Sequence, residues 1–278
     1  MSSIKDRQRA AARARLEKEM AERASAARKR RQRQAIIGSA IAVVVIAGAA
    51  VWIVSTVGKD DKKSTAGSKV PAGQVACTWT PQAAGGGGKI KDVGTPAATA
   101  PNTGKAVLTL DTNLGPIKAT LDRSKVPCTA ASVEYLASKK FWDNTKCHRL
   151  VNETGFKVLQ CGDPFATGKG YRETDGTGGP SYMMAEENLP TDATNPYPAG
   201  SIAMAKTSAP GSTGSQFFIC SEDTKLSPDY TLLGSITSGL DLVKGVVKAG
   251  DDGAFKAQAG GGHPKKETII KSVSVAAA

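Results

Sequence analysis

A run of 23 residues without a charged side chain, positions 35–57, constrains this chain more than any other feature of its sequence. A helix of that length can span the roughly 30 Å hydrocarbon core of a bilayer, at about 1.5 Å per residue. Trp52 lies towards one end, where aromatic side chains favour the membrane interface. The alternative is a cleaved signal peptide, whose apolar core has only about 7–15 residues. The run therefore predicts one transmembrane helix.

Much of the positive charge precedes this run. The formal net charge is +12, and residues 1–34 contain twelve Lys or Arg against four Asp or Glu. The segment has no Gly or Pro, which favours a helix, and basic residues are typical of the cytoplasmic flank of a membrane helix. We expect a basic cytoplasmic arm at 1–34 and an extracytoplasmic location for residues 58–278. No nucleic-acid partner is expected, because the remaining residues are only weakly basic.

The part after the run divides into a linker and a domain. Residues 58–104 are rich in Gly, Pro, Lys, Ala, Thr and Ser, which predicts a flexible linker, although residues 75–79 are expected to dock on the domain. Over residues 105–278, many short segments alternate apolar and polar side chains like strands. Only two segments favour helix, one opening near Pro127 and one at 240–247. The pattern predicts a mainly β domain, most simply a closed barrel with helices at its ends.

Cysteine and histidine are too few and too scattered to predict a metal site. Disulfides are permitted outside the cytoplasm, and an odd number of cysteines leaves at least one unpaired within a monomer. The pairing is not determined by the sequence, and buried free thiols remain an alternative for several cysteines. The cysteines are Cys77, Cys128, Cys147, Cys161 and Cys220, and the histidines are His148 and His263.

Motifs of covalent and cofactor chemistry are absent from the sequence. It contains no G-x-S-x-G motif, no H-E-x-x-H motif and no complete phosphate-binding loop. An enzyme built from this chain is therefore expected to work without a nucleophilic side chain, a metal or a nucleotide, and no cofactor is expected.

Residues on three predicted strands carry the remaining chemistry. Gln216 and Phe218 stand two positions apart on one strand, so they share a face and combine a hydrogen-bonding edge with an apolar floor. Arg149 lies near the end of another strand, and Gln160 lies on the next. Together with the Gly-rich segment 176–179, these motifs resemble the cyclophilin family of peptidyl-prolyl isomerases. The Cys-containing versions are similar to the extracytoplasmic cyclophilins of actinobacteria.

The resemblance implies an eight-stranded antiparallel barrel capped by two helices, and it implies roles for individual residues. Arg149 would approach the nitrogen of the substrate proline, Gln160 would orient the arginine, and Phe218 would form the floor of the proline pocket. The other residues implied to bind substrate are Phe156, Val158, Gly176, Ala205, Lys206, Gln216, Leu226 and Tyr230.

Several positions depart from the family pattern. The family has a Phe and a Met before the glutamine: Val158 is the best match for the Met, and Phe156 or Lys157 for the Phe, because a short insertion at 152–154 obscures the register. Lys206 stands where the family usually has Asn, and Lys225 stands where cyclosporin-sensitive members have Trp. Strong cyclosporin binding is therefore not expected.

Some neighbours of these residues are expected to be structural. Phe217 and Phe218 are adjacent on a strand and must face opposite sides, so Phe217 is predicted to lie in the core. His148, next to Arg149, is predicted to face inward for the same reason, and Met204 is also predicted to be buried.

The function implied by the resemblance is the acceleration of cis–trans rotation about X-Pro bonds in extracytoplasmic proteins. A guanidinium beside the proline nitrogen would stabilise the twisted amide, which has lost its resonance. The implied partners are proline-containing polypeptides and, through residues 35–57, the membrane. The alternative is a non-catalytic module on the same fold that binds proline-containing segments.

Overall fold

A computed structural model describes residues 70–82 and 88–278 of the chain. The predicted arm at 1–34 and the predicted transmembrane helix at 35–57 lie outside these residues. In the part that is described, no helix combines the length and the apolar character needed to cross a bilayer.

The described residues form two helices and fifteen strands. The helices are α1 (Pro127–Ser138) and α2 (Leu240–Ala249). The strands are β1 (Gln74–Ala76), β2 (Thr80–Pro81), β3 (Ile90–Lys91), β4 (Thr99–Pro101), β5 (Lys105–Thr112), β6 (Gly115–Asp122), β7 (Thr145–Lys146), β8 (Arg149–Glu153), β9 (Phe156–Cys161), β10 (Gly179–Pro180), β11 (Tyr182–Met183), β12 (Ser201–Met204), β13 (Phe217–Cys220), β14 (Leu232–Ser238) and β15 (Ile269–Ala277).

Nine of these strands form one sheet, in the order β7-β15-β5-β6-β14-β12-β13-β9-β8. β5 and β6 form a hairpin in which Thr112 pairs with Gly115 at the turn. The edge strands β7 and β8 are consecutive in the chain, and only Cys147 and His148 separate them. The sheet must therefore curl so that its two edge strands lie close together where the chain passes from β7 to β8.

The closed eight-stranded barrel expected from the sequence is corrected by this arrangement. β7 is a ninth strand, and within the described residues no ladder joins it to β8. The backbone N–H of Cys147 instead donates to Thr268 beside β15 over 2.9 Å, and that of His148 donates to Gln160 in β9 over 3.1 Å. Residues 147 and 148 thus connect the two edge strands of the sheet. The fold is mainly β, with one curled sheet and two helices.

The core lies between one face of the sheet and the helices. Every second side chain of β5 is buried, including Leu108 and Leu110, because alternate residues of a strand face the same side. Val133 of α1 and Val246 of α2 pack into the same cluster, and so does Phe217 of β13. Phe217, Met204 and His148 are all buried, as predicted.

The other face of β13 belongs to a second and smaller cluster. It contains Phe218 together with Val151, Val158 and Tyr197, and Tyr230 packs against it. Adjacent residues of β13 therefore belong to two different clusters: Phe217 lies in the larger one, and Phe218, which is equally buried, lies in the smaller one. The candidate site lies on the side of Phe218.

Residues 70–82 and 88–104, which we call the N-terminal strap, pack on the domain. β1 pairs with β4, β2 pairs with β11, and β3 pairs with β10. A disulfide joins Cys77 of the strap to Cys128 of α1. The flexible linker predicted over 58–104 is therefore corrected for the described residues of that range. Short ladders and a covalent bond hold a segment whose composition offers few apolar side chains.

Trp79 anchors the middle of the strap, which confirms that residues 75–79 dock on the domain. Its ring meets that of Tyr182 edge to face, with the two centroids 5.3 Å apart, and its indole N–H donates to the carbonyl of Ala97 over 3.0 Å.

Candidate active site

β8 and β9 place Arg149 directly opposite Gln160. The guanidinium Nη1 of Arg149 donates to Oε1 of Gln160 over 3.0 Å. A disulfide between Cys147 and Cys161 joins the same two chain segments beside this pair. Gln160 also pairs with Phe218 of β13, so the arginine, the glutamine and the aromatic ring lie on three neighbouring strands.

A chain of side-chain amides continues from the arginine. Nε2 of Gln160 donates to Oε1 of Gln216 over 3.1 Å. Nε2 of Gln216 in turn donates to the carbonyls of Gly176 at 2.8 Å and Gly178 at 3.0 Å. These bonds orient both amides and couple the guanidinium of Arg149 to the Gly-rich loop.

The carboxylate of Asp163 fixes the Gly-rich loop by hydrogen bonds to its backbone. This carboxylate is fully buried and accepts hydrogen bonds from the backbone N–H groups of Gly176, Gly178 and Phe165, at 2.6, 3.1 and 2.7 Å. Gly176 adopts a φ of +94°, which only glycine enters readily. Asp163 is absent from the residues predicted for the site, and its hydrogen bonds show that it binds the backbone of the loop.

Arg149 is held by carbonyls as well as by Gln160. Its Nε donates to Gly260 over 3.2 Å, its Nη2 donates to Ala259, and its guanidinium lies 5.6 Å from the centroid of the Phe156 ring. Burial lowers the pKa of Arg149, although a guanidinium keeps its charge in proteins. The three hydrogen bonds use three of its five N–H groups, so two remain for a ligand.

Arg149 lines a cavity of about 320 Å³, which we call the small cavity. Its floor is aromatic, since the rings of Phe218 and Tyr230 meet edge to face with their centroids 5.6 Å apart. Nine residues predicted for the site line it, and Ala259 is an addition. The lining residues are Arg149, Phe156, Val158, Gln160, Ala205, Lys206, Phe218, Leu226, Tyr230 and Ala259.

A second cavity of about 810 Å³, the large cavity, lies beside the first. The two share Gln160, Ala205 and Lys206 in their walls. The remaining predicted residues, Gly176 and Gln216, line the large cavity. The other residues of its wall are not among those predicted to bind substrate, although 177–179 belong to the Gly-rich segment that the sequence singles out; they are Gln82, Gly88, Thr177, Gly178, Gly179, Pro180, Met183, Thr207, Ser212, Gly214 and Ser215.

Lys206 stands where the two cavities meet. Its side chain is only 10% exposed, and its ammonium lies 4.0 Å from Oε1 of Glu186 and 3.4 Å from the carbonyl of Thr207. The ammonium also lies 6.0 Å from the centroid of the Tyr230 ring. One weak hydrogen bond and a distant carboxylate leave most of the donor capacity of this group to a ligand.

The two cavities together combine apolar and hydrogen-bonding surfaces, and we call them the groove. It combines an apolar, aromatic cavity with an oriented guanidinium and a row of amides, which suits a small apolar ring beside a backbone carbonyl. No group of three or more His, Cys, Asp or Glu among the described residues is placed to hold a metal ion.

Comparison with known proteins gives the family of this groove. The model of the family described as cyclophilin type peptidyl-prolyl cis-trans isomerase/CLD matches residues 107–275. The chain belongs to this family. In a solved structure of a cyclophilin type peptidyl-prolyl cis-trans isomerase from Cryptosporidium parvum, the same fold covers 63% of this chain and 99% of that one, at a TM-score of 0.50 and 24% identity.

Curated relatives from mycobacteria are similar to part of the chain. The probable peptidyl-prolyl cis-trans isomerase B of Mycobacterium leprae is 41% identical over 158 residues, which cover 51% of this chain and 50% of that protein. The protein of the same description in Mycobacterium tuberculosis is 39% identical over 191 residues, which cover 62% of this chain and 58% of that protein. The chain thus matches between half and three fifths of the length of these relatives.

Proposed function

We propose that this chain is a peptidyl-prolyl cis-trans isomerase and that its reaction takes place in the small cavity. The observation that carries the proposal is the guanidinium of Arg149, which is fixed by Gln160 and by two carbonyls and has two N–H groups left beside an aromatic floor. The family match over residues 107–275 supports the same reaction.

The mechanism follows from the loss of amide resonance when an X-Pro bond rotates. Amide resonance gives a barrier of about 18–20 kcal/mol, and at the twisted transition state the proline nitrogen regains its lone pair. An N–H of Arg149 that donates to this nitrogen binds the twisted form better than the planar one, which is the condition for catalysis. Phe218 and Leu226 would hold the ring while the preceding carbonyl turns. A barrier lowered by about 7 kcal/mol would correspond to roughly a 10⁵-fold acceleration.

The decisive test is cis–trans exchange of a short X-Pro peptide, measured by NMR with the full chain in detergent. The unchanged protein should accelerate exchange, and Arg149→Ala should lower kcat/KM by about 10²–10³-fold, as expected for the loss of a charge-stabilising donor. Arg123→Ala is the matched control, because Arg123 pairs with Glu134 away from both cavities. Equal activity of the two variants would refute the role of Arg149.

A non-catalytic peptide-binding module is the second candidate. The carbonyls of Ala259 and Gly260 favour it, because they already accept hydrogen bonds from the guanidinium. In that case, peptide resonances would shift on addition of the protein while the exchange rate stayed at its uncatalysed value.

We further propose that the domain works outside the cell membrane, where its substrates would be extracytoplasmic polypeptides. The uncharged run at 35–57, with basic residues on its N-terminal side, supports an anchor with a cytoplasmic N-terminus. The disulfides Cys77–Cys128 and Cys147–Cys161 support an oxidising compartment. Protease added to intact spheroplasts should remove the domain and spare the arm, and protection of the domain would overturn this location.

A further inference from the structure

We propose that the N-terminal strap is a specificity element, which forms one wall of the large cavity and contacts the substrate residues on one side of the proline. The family match begins at residue 107, so the strap lies outside it. The inference rests on the proposed isomerase function and adds to it the part of the chain that selects the sequence around the proline.

The strap reaches the cavity through two short pairings. The backbone N–H of Gln82 donates to Ser181 over 2.9 Å, next to the ladder between β2 and β11. On the other side, the N–H of Gly179 donates to Lys89 over 3.0 Å, next to the ladder between β3 and β10. Gln82 and Gly88, at the ends of the two described parts of the strap, are both half-buried and both line the large cavity.

The strap contacts the Gly-rich loop, which accepts the hydrogen bonds of the Gln216 amide. A Cβ atom added at Gly88 would lie only 2.5 Å from the carbonyl oxygen of Thr177, so the two backbones are in direct contact there. Thr177 stands between Gly176 and Gly178, whose carbonyls accept from Gln216. Displacement of the strap would therefore disturb both the wall of the cavity and the residue that orients Gln160.

Side chains on both sides fix the strap in this position. The ammonium of Lys91 donates to the carbonyl of Phe141 over 3.0 Å and lies 5.1 Å from the centroid of its ring. The hydroxyl of Tyr135 donates to the carbonyl of Val93. The disulfide of Cys77 adds a covalent tie to α1. Because the strap is held at three points, it can form a fixed wall of the large cavity and is not merely a flexible linker.

The wall chemistry indicates the kind of ligand. Gln82, Thr177, Ser212 and Gln216 present uncharged polar groups, and Lys206 is the only charged side chain among the residues that line the cavity. The two cavities share Gln160 and Ala205, so a peptide with its proline in the small cavity would continue into the large one. The ligand is therefore an extended peptide segment whose side chains in the large cavity are uncharged and polar, with Lys206 as the cationic group at the boundary with the small cavity.

The test compares three peptides with the full chain in detergent. One is a short blocked X-Pro peptide, and the other two extend it by three Ser or Gln residues on the N-terminal or the C-terminal side. Gln82→Ala should lower the ratio of kcat/KM for one extended peptide to that for the short peptide by about fivefold, the usual net effect of one lost hydrogen bond. The other extended peptide should keep its ratio. Gln74→Ala is the matched control, because Gln74 belongs to the strap but does not line the cavity.

A second variant releases the strap as a whole. Cys77→Ser combined with Cys128→Ser removes its covalent tie and should lower the same ratio at least as much as Gln82→Ala. Unchanged ratios in both variants, or an equal loss for all three peptides, would overturn the proposal. Absence of catalysis by the unchanged protein would instead refute the isomerase function. The strap would then be tested by peptide affinity in NMR titrations, where the extended peptide should bind Gln82→Ala about fivefold more weakly.

Discussion

The two cavities of the groove differ in how they are built. The small cavity is formed within the family match, mostly by strands of the nine-stranded sheet and the loops beside them. The large cavity takes part of its wall from the Gly-rich loop and part from the strap, whose strands β2 and β3 have only two residues each. The proposed reaction site, which needs fixed geometry, thus lies mostly on the sheet, and the proposed specificity site lies mostly on loops.

The largest effect should separate the two faces of β13. Phe217→Ala should lower the free energy of unfolding by about 3–5 kcal/mol, because its ring lies in the main core and contacts that of Trp142 edge to face. Phe218→Ala should also lower stability, because its ring is as buried as that of Phe217, but it should in addition lower kcat/KM of the folded protein by about 10–100-fold, since the floor of the small cavity is lost. Urea unfolding and peptide exchange on both variants check the pair. A similar fall in kcat/KM for the two folded variants would remove the distinction between the two faces.

The disulfide of Cys147 and Cys161 should matter more to the small cavity than to the large one. It closes a loop of 14 residues beside the pair Arg149–Gln160, so Cys147→Ala combined with Cys161→Ala should cost about 2–4 kcal/mol of stability. Looser strands should also lower kcat for the short peptide. The double variant at Cys77 and Cys128 supplies the comparison, since it should change the preference for extended peptides. Identical kinetic profiles for the two double variants would remove the distinction between the cavities.

Acid should weaken the fold through His148, which lies beneath the Gly-rich loop. Burial lowers its pKa from 6.5 to about 4, opposed by the charges of Asp163 and Asp175 and assisted by those of Arg149 and His263. Between these values the unfolded chain binds the proton and the folded one does not. Stability should therefore be complete above about pH 6.5 and fall by about 3 kcal/mol as the pH approaches 4.

Urea midpoints at pH 4.5, 6 and 7.5 check this dependence. His148→Gln should flatten the slope over that range, whatever its effect on the overall stability. Because a Cβ atom at Gly176 would lie 2.8 Å from the ring of His148, a charged ring should loosen the Gly-rich loop first. A variant that keeps the full slope would assign the acid sensitivity to another group.

The longer strands and the two helices could be predicted, because their sequences carry a regular pattern of apolar and polar residues or a terminal signal such as proline. The alternation of β5 and β6, the proline at the start of α1 and the apolar positions of α2 each fix a local structure before any tertiary contact. The predicted Arg149, Gln160 and Phe218 are brought together because three adjacent strands carry them in register.

The parts that the sequence missed have no such pattern. Strands of two residues, such as β2, β3 and β7, are too short to show any alternation, and they form only because a partner is present. Ala259 serves the site through its backbone carbonyl, which every residue possesses, so its side chain carries no signal. The disulfide pairing could not be predicted either, because it depends on which segments the fold brings close together.

The smallest expected effect concerns Lys206, which both cavities share. Its ammonium should attract an acidic side chain next to the substrate proline, but Glu186 at 4.0 Å already offsets part of the charge. We therefore expect Lys206→Asn to lower the ratio of kcat/KM for a Glu-Pro peptide to that for a Gln-Pro peptide by only about two- to threefold, as for a screened ion pair. Glu186→Gln should raise the ratio by a similar factor, and added salt should reduce both effects. If neither variant changes the ratio, Lys206 only packs beside the ring of Tyr230, and the boundary between the cavities does not select for charge.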